Sequence, residues 1–392
     1  MPDIQHAGGV DRETFEAFAA QLERYVAERL IPAEPRVLEA DRVPDDILAE
    51  MRAMGLFGIT IPAAFGGSGF NVAQYVETIR LLSRAMPAYR SALSITVGMV
   101  ATAIRRAGTP EQQAMWLPRL AAGAICSFGL TEPGSGSDAA ALATRAERDG
   151  DAWVLNGTKR YITNAPMAEL ALVMARTNRA NLPGNAHVSA FLVPMDSPGV
   201  RVGSPDRKMG QAGALIADIM LDDVRLGPEA LLGGEVGSGF RAAMQSLDNG
   251  RLSVAAGAAG YARRILETAT RYATERKAFG ESIASFQLIQ AMLADSEAEL
   301  YAAECMIADA CRLADLGRRV TIEAAAAKMF ASEACGRIAD RCVQIHGGAG
   351  YLAEYEAERF FRDARLYRIY EGTTQILQLV IAKAMLRRLG EG

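Results

Sequence analysis

SFGLTEPGSGSDAAAL, residues 127–142, stands where a helix-patterned opening gives way to short β-prone runs. Gly134, Gly136 and Ala139 spell G-x-G-x-x-A, a loose dinucleotide fingerprint, so the stretch poses a choice of fold. A nicotinamide-binding Rossmann dehydrogenase needs a preceding parallel strand and repeated strand-helix-strand units. This chain instead runs helices, then strands, then helices, which argues against it. Two readings stay open: a plain Gly/Ser turn, or a loop whose Ser135, Ser137 and successive backbone N–H groups line a cofactor or phosphate. Glycine permits that close approach.

Upstream, Phe18, Leu22, Tyr25, Val26 and Leu30 recur on one helix face, and similar patterning continues to about residue 120. Pro32, Pro35, Pro44, Pro62, Pro87 and Pro110 are expected helix boundaries, because proline cannot continue the interior ladder. Downstream, AWVLNGTKRYIT, ELALVMAR, HVSAFLVP and LIADIMLDDVRL read as strands. Asn156-Gly157 predicts a type I′ hairpin between Val154-Leu155 and Tyr161-Ile162. After Gly239 the chain is Ala-rich and helix-forming, with breaks near Gly280 and at 347–350; the apolar faces at Ile265, Ala269 and Tyr272 call for helix or subunit partners. The expectation is an α+β chain, mainly α: a helical domain over 1–125, a β domain over 126–240 and a helical bundle over 241–392.

Composition bounds the chemistry. With 392 residues, 50% hydrophobic and 22% charged, the chain suits a soluble globular protein, and a net charge of -4 without a basic run points away from nucleic acid and anionic membranes. MPDIQHAGGVDRETF does not read as a secretory signal and no apolar run would span a bilayer, so the cytoplasm is the expected location. Cys126, Cys305, Cys311, Cys335 and Cys342 contain no C-x-x-C pair, and the last four are expected to be buried helix thiols. His6, His187 and His346 show no ligand spacing, so no metal is expected and a His-based hydrolase is disfavoured. Acid-base work falls to carboxylates.

Three further segments could carry chemistry. RYATERKAFG, 271–280, places Arg276 beside Phe279 at a helix end, where the Arg either complements the helix dipole or meets a diphosphate while the Phe packs on an adenine. QIHGGAGY, 344–351, is either a helix cap or an exposed Gly-rich surface. IYEGTTQI, 369–376, sets Glu371 between Tyr370 and Gly372, as a solvated charge or as a base aimed into a pocket.

Taken together, FGLTEPGSGSD, NGTKRYITNA, RYATERKAFG, QIHGGAGY and IYEGTTQI resemble the acyl-CoA dehydrogenase family in order and spacing, over nearly the whole chain. The resemblance implies a helical N-terminal domain, a central β domain and a C-terminal four-helix bundle. It implies FAD as cofactor, with contacts from Phe128, Leu130, Thr131, Gly136 and Ser137, and Tyr161 and Thr163 beside the isoalloxazine ring. Arg276, Phe279 and Gln287 correspond to residues reaching FAD from a neighbouring subunit, Gln344, Gly347 and Gly348 to the adenosine side, and Thr373 and Gln375 complete the set. Asp248, Arg251, Ser137, Gly372 and Lys383 match substrate or CoA contacts.

By the same resemblance Glu371 is the base that removes the α-proton of an acyl thioester while the β-hydride passes to flavin N5. Its backbone N–H and a ribityl hydroxyl would hold the thioester oxygen as an oxyanion hole does. In one branch the base occupies the position matching Gly250, and glycine cannot serve. A homotetramer, or at least a dimer, and an electron-transfer flavoprotein as electron acceptor are implied.

Arg90, near the start of a helix opened by Pro87, calls for an anionic partner, an internal Asp or Glu being the plain alternative to a ligand. YRSALS also resembles YRSAMS of glutaryl-CoA dehydrogenases, where the Arg faces the distal carboxylate. Two departures stand against that branch: Ser83 replaces its Glu, and RLYRIYEGTTQI is closer to the general family.

Overall fold

The computed structural model describes residues 8–177, 187–237 and 239–390; His6 lies outside them. Helices start where the sequence offers acceptors for their first N–H groups. Asp11 accepts from Thr14 at α1 (Arg12–Tyr25), and capping boxes of Asn71 with Gln74 and Thr109 with Gln112 open α4 (Val72–Leu82) and α7 (Pro110–Ala121). Between them lie α2 (Ile31–Ala40), α3 (Asp45–Ala53), α5 (Pro87–Ser94) and α6 (Ala101–Ala107).

Pro44, Pro87 and Pro110 open helices as expected, but Pro32 and Pro35 do not divide one from the next. A π turn at Val26–Leu30 joins α1 to α2 and resets the hydrogen-bond ladder, so Pro32 falls in a first turn that needs no N–H partner. Pro35 stays inside α2, whose Glu34 is held by Arg264 and Arg359 from the C-terminal helices. Glu34 also accepts from the Met86 N–H at 2.9 Å, which caps and fixes the start of α5.

The central sheet comprises β1 (Cys126–Gly129), β2 (Arg145–Asp149), β3 (Ala152–Thr163), β4 (Leu170–Arg176), β5 (Val188–Pro194), β6 (Val200–Val202) and β7 (Ile216–Leu226). Its order is β1-β4-β2-β3-β7-β6, with β5 on β4. After β1 the chain passes through the Gly/Ser loop to a 3-10 turn at Ala139–Ala141 and on to β2, so no helix receives the glycine fingerprint and the Rossmann alternative is wrong.

The hairpin prediction at Asn156-Gly157 is also wrong. β3 runs straight through both residues, and the tight turn falls at Gly150-Asp151, between β2 and β3. The dipeptide instead forms a bulge against β7: Asn156 exchanges two 2.9 Å bonds with Asp223, and a Cβ on Gly157 would meet Thr144 Oγ1 at 2.5 Å.

The C-terminal region is helical: α8 (Gly239–Glu275), a two-stranded hairpin of β8 (Lys277–Ala278) and β9 (Glu281–Ser282), α9 (Gln287–Asp315), α10 (Thr321–His346), α11 (Glu356–Ala364) and α12 (Thr374–Gly390). Buried residues of α8, α9 and α10 share one core with the N-terminal helices. Ile265 and Ala269 are buried in it and Tyr272 packs against it. Cys311, Cys335 and Cys342 are buried as expected; Cys305 is exposed. Among the described residues no helix is long and apolar enough to cross a membrane.

Candidate active site

One face of α8 is hollowed by its sequence. Gly250, Ser253 and Gly257 lie at helical spacing on that face. A Cβ on Gly250 would stand 2.7 Å from Glu371 Oε2, and one on Gly257 would stand 2.9 Å from Arg90 Nε. Two interior glycines cost a helix about 1 kcal/mol each, and here the missing side chains make room for a carboxylate and a guanidinium.

Glu371 reaches this hollow from a turn between α11 and α12, where it and Gly372 both adopt positive φ, 54° and 93°. The residue is half-buried, but its Oε2 is enclosed and has no hydrogen-bond partner. Desolvation raises its pKa above the ordinary carboxylate value, opposed by the charges of Arg90, Arg251 and Lys328. Lys328, on α10, donates to the Gly372 carbonyl at 2.7 Å.

Arg90 is 5% exposed. Its guanidinium donates to Tyr370 Oη at 3.2 Å and Ser253 Oγ at 3.3 Å, while Nε has no partner. Among the described residues no carboxylate forms an ion pair with it, and the acid whose charge acts on it is Glu371. Ser83 is buried with its hydroxyl unpartnered. Asp248 and Arg251 pair at 2.9 Å, and Thr321 donates to the second Asp248 oxygen at 2.9 Å.

A second surface is assembled from the sheet. Ser127 donates to the Thr163 carbonyl at 2.9 Å and Arg160 N–H to the Thr131 carbonyl at 2.8 Å, which draws Phe128, Leu130 and Thr131 beside Tyr161 and Thr163. The loop carrying Gly136 and Ser137 is framed from below by Glu132. That carboxylate accepts from Lys159 at 2.6 Å, Ala143 N–H at 2.5 Å and Thr144 N–H at 3.0 Å. A bulge between Lys159 and Ile162 puts Tyr161 at φ 57°, with the residue 57% exposed. Asn164 ties this surface to the helix of Arg90 by donating to the Ser91 carbonyl at 3.0 Å.

The remaining candidates lie elsewhere. Arg276, Phe279 and Gln287 are exposed beyond the end of α8, Phe279 by 96%. His346 stacks on Tyr272 with ring centroids 4.0 Å apart, so exposed Gln344, Gly347 and Gly348 share that end of the bundle. At 1.5 Å per residue, the 25 steps along α8 from Gly250 to Glu275 span about 38 Å. Within one chain these residues cannot adjoin Glu371. Thr373 is half-buried, and Gln375 and Lys383 are exposed on α12.

Sequence reasoning missed Ser253, Gly257, Lys328, Glu132 and Lys159. The glycine spacing on α8 was a usable signal; a lysine inside an Ala-rich helix was a fainter one.

The chain thus carries an enclosed carboxylate with an unpartnered oxygen and an open glycine-lined surface with an exposed tyrosine, features that suit an enzyme of acid-base chemistry and a flat cofactor. The comparisons identify the class. Models of the acyl-CoA dehydrogenase N-terminal, middle and C-terminal domains match residues 12–124, 127–224 and 237–386. The chain is 40% identical to the CarC subunit of the caffeyl-CoA reductase-Etf complex of Acetobacterium woodii, over 94% of this chain and 97% of the relative. It is 39% identical to the human mitochondrial short-chain specific acyl-CoA dehydrogenase, over 96% and 90%. A glutaryl-CoA dehydrogenase structure from Mycobacterium smegmatis in complex with FADH2 superposes with a TM-score of 0.89 at 32% identity, covering 96% of this chain and 95% of that one. The chain belongs to the acyl-CoA dehydrogenase family of FAD-dependent flavoprotein oxidoreductases.

The residues present fit that cofactor. An added Cβ would meet no atom within 4 Å at Gly134, Gly136, Gly347 or Gly348, which leaves open backbone, and Tyr161 and Phe279 offer exposed rings.

Proposed function

We propose that the protein dehydrogenates a short- or medium-chain acyl-CoA between its α and β carbons to the trans-2-enoyl-CoA, with Glu371 as the α-proton base. The observation that carries this is the enclosed, unpartnered Oε2 of Glu371 facing the empty position of Gly250. Desolvation makes the carboxylate a stronger base, and its left-handed turn aims it into the hollow. FAD, when bound, accepts the β-hydride. Phe128, Leu130, Thr131, Gly136, Ser137, Tyr161 and Thr163 hold it from this chain, with Thr373 and Gln375. Arg276, Phe279, Gln287, Gln344, Gly347 and Gly348 hold it from a neighbouring copy, the arrangement that the length of α8 supports. The Glu371 N–H polarises the thioester carbonyl, and Ser137, Asp248, Arg251, Gly372 and Lys383 contact the thioester and CoA. Shared FAD sites call for a homotetramer, or at least a dimer, and the Etf complex of the A. woodii relative supports an electron-transfer flavoprotein as acceptor. We place this activity in the cytoplasm.

Glu371→Gln is the test. FAD-loaded variant mixed anaerobically with butyryl-CoA should bind it, yet reduce flavin at least about 10³-fold more slowly, since an amide cannot accept the proton. Wild-type reduction rates would refute the assignment.

A second reading concerns the substrate's far end. Arg90 is buried and in no ion pair among the described residues, and a guanidinium fork matches a carboxylate in bidentate fashion, which favours a dicarboxylyl-CoA, dehydrogenated with or without decarboxylation. The likeness to a glutaryl-CoA dehydrogenase structure supports it.

A further inference from the structure

Lys328 is 0% exposed, in the third turn of α10 among buried Ala324, Ala325, Ala327 and Ala331. Its ammonium donates to the Gly372 carbonyl at 2.7 Å, and among the described residues it has no carboxylate within ion-pair distance. The nearest acid on its own helix, Glu333, is engaged by Arg368 at 2.8 Å and by the Thr374 hydroxyl at 2.6 Å. A buried cation with one neutral acceptor is an expensive way to fill a core position that leucine or methionine would fill, so packing does not account for it.

We infer that Lys328 is a positioning residue for Glu371: it clasps the carbonyl on the far side of the turn and sets a fixed positive charge against the base. The inference rests on the reading of Glu371 as base. The turn is one that needs holding, because Glu371 at φ 54° is in a region L residues with side chains avoid, and Gly372 follows at φ 93°. On the near side Tyr370 is held by Arg90 and by its own N–H to the Leu366 carbonyl at 3.3 Å. On the far side Lys328 holds the next carbonyl but one. Its geometry and its charge act together: a clasp that were only a donor could be a Gln, whereas an ammonium also favours the carboxylate form.

The charged and titratable groups facing Glu371 are Arg90 and Tyr75 from the N-terminal helices, Arg251 from α8, Lys328 from α10 and Tyr370 on its own segment. Burial presses the Lys328 ammonium down to about 8, with Glu371 drawing it up, Arg251 pressing it further down and Glu333 drawing it up. It is therefore a cation at neutral pH. Removing that cation removes one of the three charges that oppose the desolvation of Glu371, so the Glu371 pKa rises and the acid limb of the kcat/KM profile moves to higher pH.

The experiment compares FAD-loaded wild type, Lys328→Gln, Lys328→Met and Lys328→Arg with butyryl-CoA, measuring bound FAD, kcat and KM separately, the pH profile, and binding of butyryl-CoA to the oxidised Glu371→Gln/Lys328→Gln double variant. Lys328→Gln removes the charge and leaves a neutral donor one bond shorter, so it tests charge together with a lengthened clasp, whereas Lys328→Met removes charge and donor both. An acid limb displaced upward by about one pH unit, a kcat lowered about tenfold near neutrality, a KM within about threefold and full FAD content support the inference. Lys328→Arg should recover most of the limb position. Lys328→Met should lose more kcat than Lys328→Gln, since it loses the clasp as well. Should Lys328→Met fail to fold, Lys328→Gln decides alone. A Lys328→Gln profile and kcat equal to wild type overturn the inference, as does a loss confined to FAD content or to butyryl-CoA binding. Glu371→Gln separates the two levels: if it turns over like wild type, the base assignment fails, whereas an inactive Glu371→Gln beside an unaltered Lys328→Gln leaves the base standing and removes Lys328.

Discussion

Arg90 and Tyr370, 280 positions apart in the chain, meet at 3.2 Å, and the tyrosine is the residue immediately before Glu371. The guanidinium lies 5.8 Å from the centre of that same ring, so one aromatic side chain couples the cation of α5 to the turn of the base. A substrate carboxylate entering here would meet an Arg already oriented and lacking an acidic partner. On the dicarboxylyl reading wild type gives a higher kcat/KM for glutaryl-CoA than for butyryl-CoA or hexanoyl-CoA, and Arg90→Ala, which also removes a charge facing Glu371, lowers the glutaryl value about 10- to 100-fold more than the neutral ones. CO₂ release, followed in the same assay, reports whether decarboxylation accompanies the oxidation. A wild type that prefers neutral chains, with that preference intact in Arg90→Ala, would make Arg90 structural.

Glu371 should also be a stability liability. Its folded pKa lies above the unfolded one, so the native state holds the proton more tightly. The stabilisation from that proton is complete below the unfolded pKa and disappears as pH rises through the folded value. Glu371→Gln keeps the shape and an enclosed polar atom but removes the ionisation, and with it the desolvation cost of the charged form. The variant should melt about 2 °C higher than wild type at pH 7.5, and the difference should vanish near pH 4, in matched FAD-loaded scans. A lower melting point at pH 7.5 would mean that Arg90, Arg251 and Lys328 more than offset the desolvation.

Much of this was legible in the chain because periodicity and short motifs carry local information. The shift from helix-period to strand-period patterning gave the layer order, and the motif series placed Glu371, Arg251 and the Gly/Ser loop. What escaped notice depends on partners far away in sequence. Asn156-Gly157 has the chemistry of a hairpin turn, but Asp223 and Thr144, brought alongside by the sheet, make it a bulge. Pro35 has the chemistry of a helix end, but Glu34 is anchored by Arg264, 230 positions on. Lys328 reads as an unremarkable helix former until the Gly372 carbonyl is found against it.

The Glu132 and Lys159 pair is where the sheet supports the loop. Burial would raise the Glu132 carboxyl, yet the Lys159 charge and hydrogen bond and the Thr144 and Ala143 contacts outweigh it and hold the pKa below the ordinary range. Lys159→Met leaves that carboxylate enclosed without its cation, and breaking a buried pair from one side costs about 3–5 kcal/mol. The expected result is a large drop in denaturant midpoint together with weakened FAD retention on gel filtration, because the same carboxylate frames Gly136 and Ser137. Retained stability and FAD content would place the support of that loop elsewhere.

The last expectation follows from the length of α8. Arg276 and Phe279 begin about 38 Å along that helix from Gly250, so a chain acting alone cannot bring them to the surface beside Glu371. If they hold FAD, they hold the FAD of another copy, and each site then draws its base from one subunit and its Arg from the next. The 96% exposed Phe279 would then be covered by that copy. Arg276→Glu homomers should lose most bound FAD, and Glu371→Gln homomers should keep FAD but not turnover. Co-expression of the two variants under separate tags should restore activity to about a quarter of wild type, because half of randomly paired dimers are mixed and each mixed dimer has one site with both residues intact. No recovery in the doubly tagged fraction, or a monomer in sedimentation that retains one FAD per chain, would show that each subunit completes its own site.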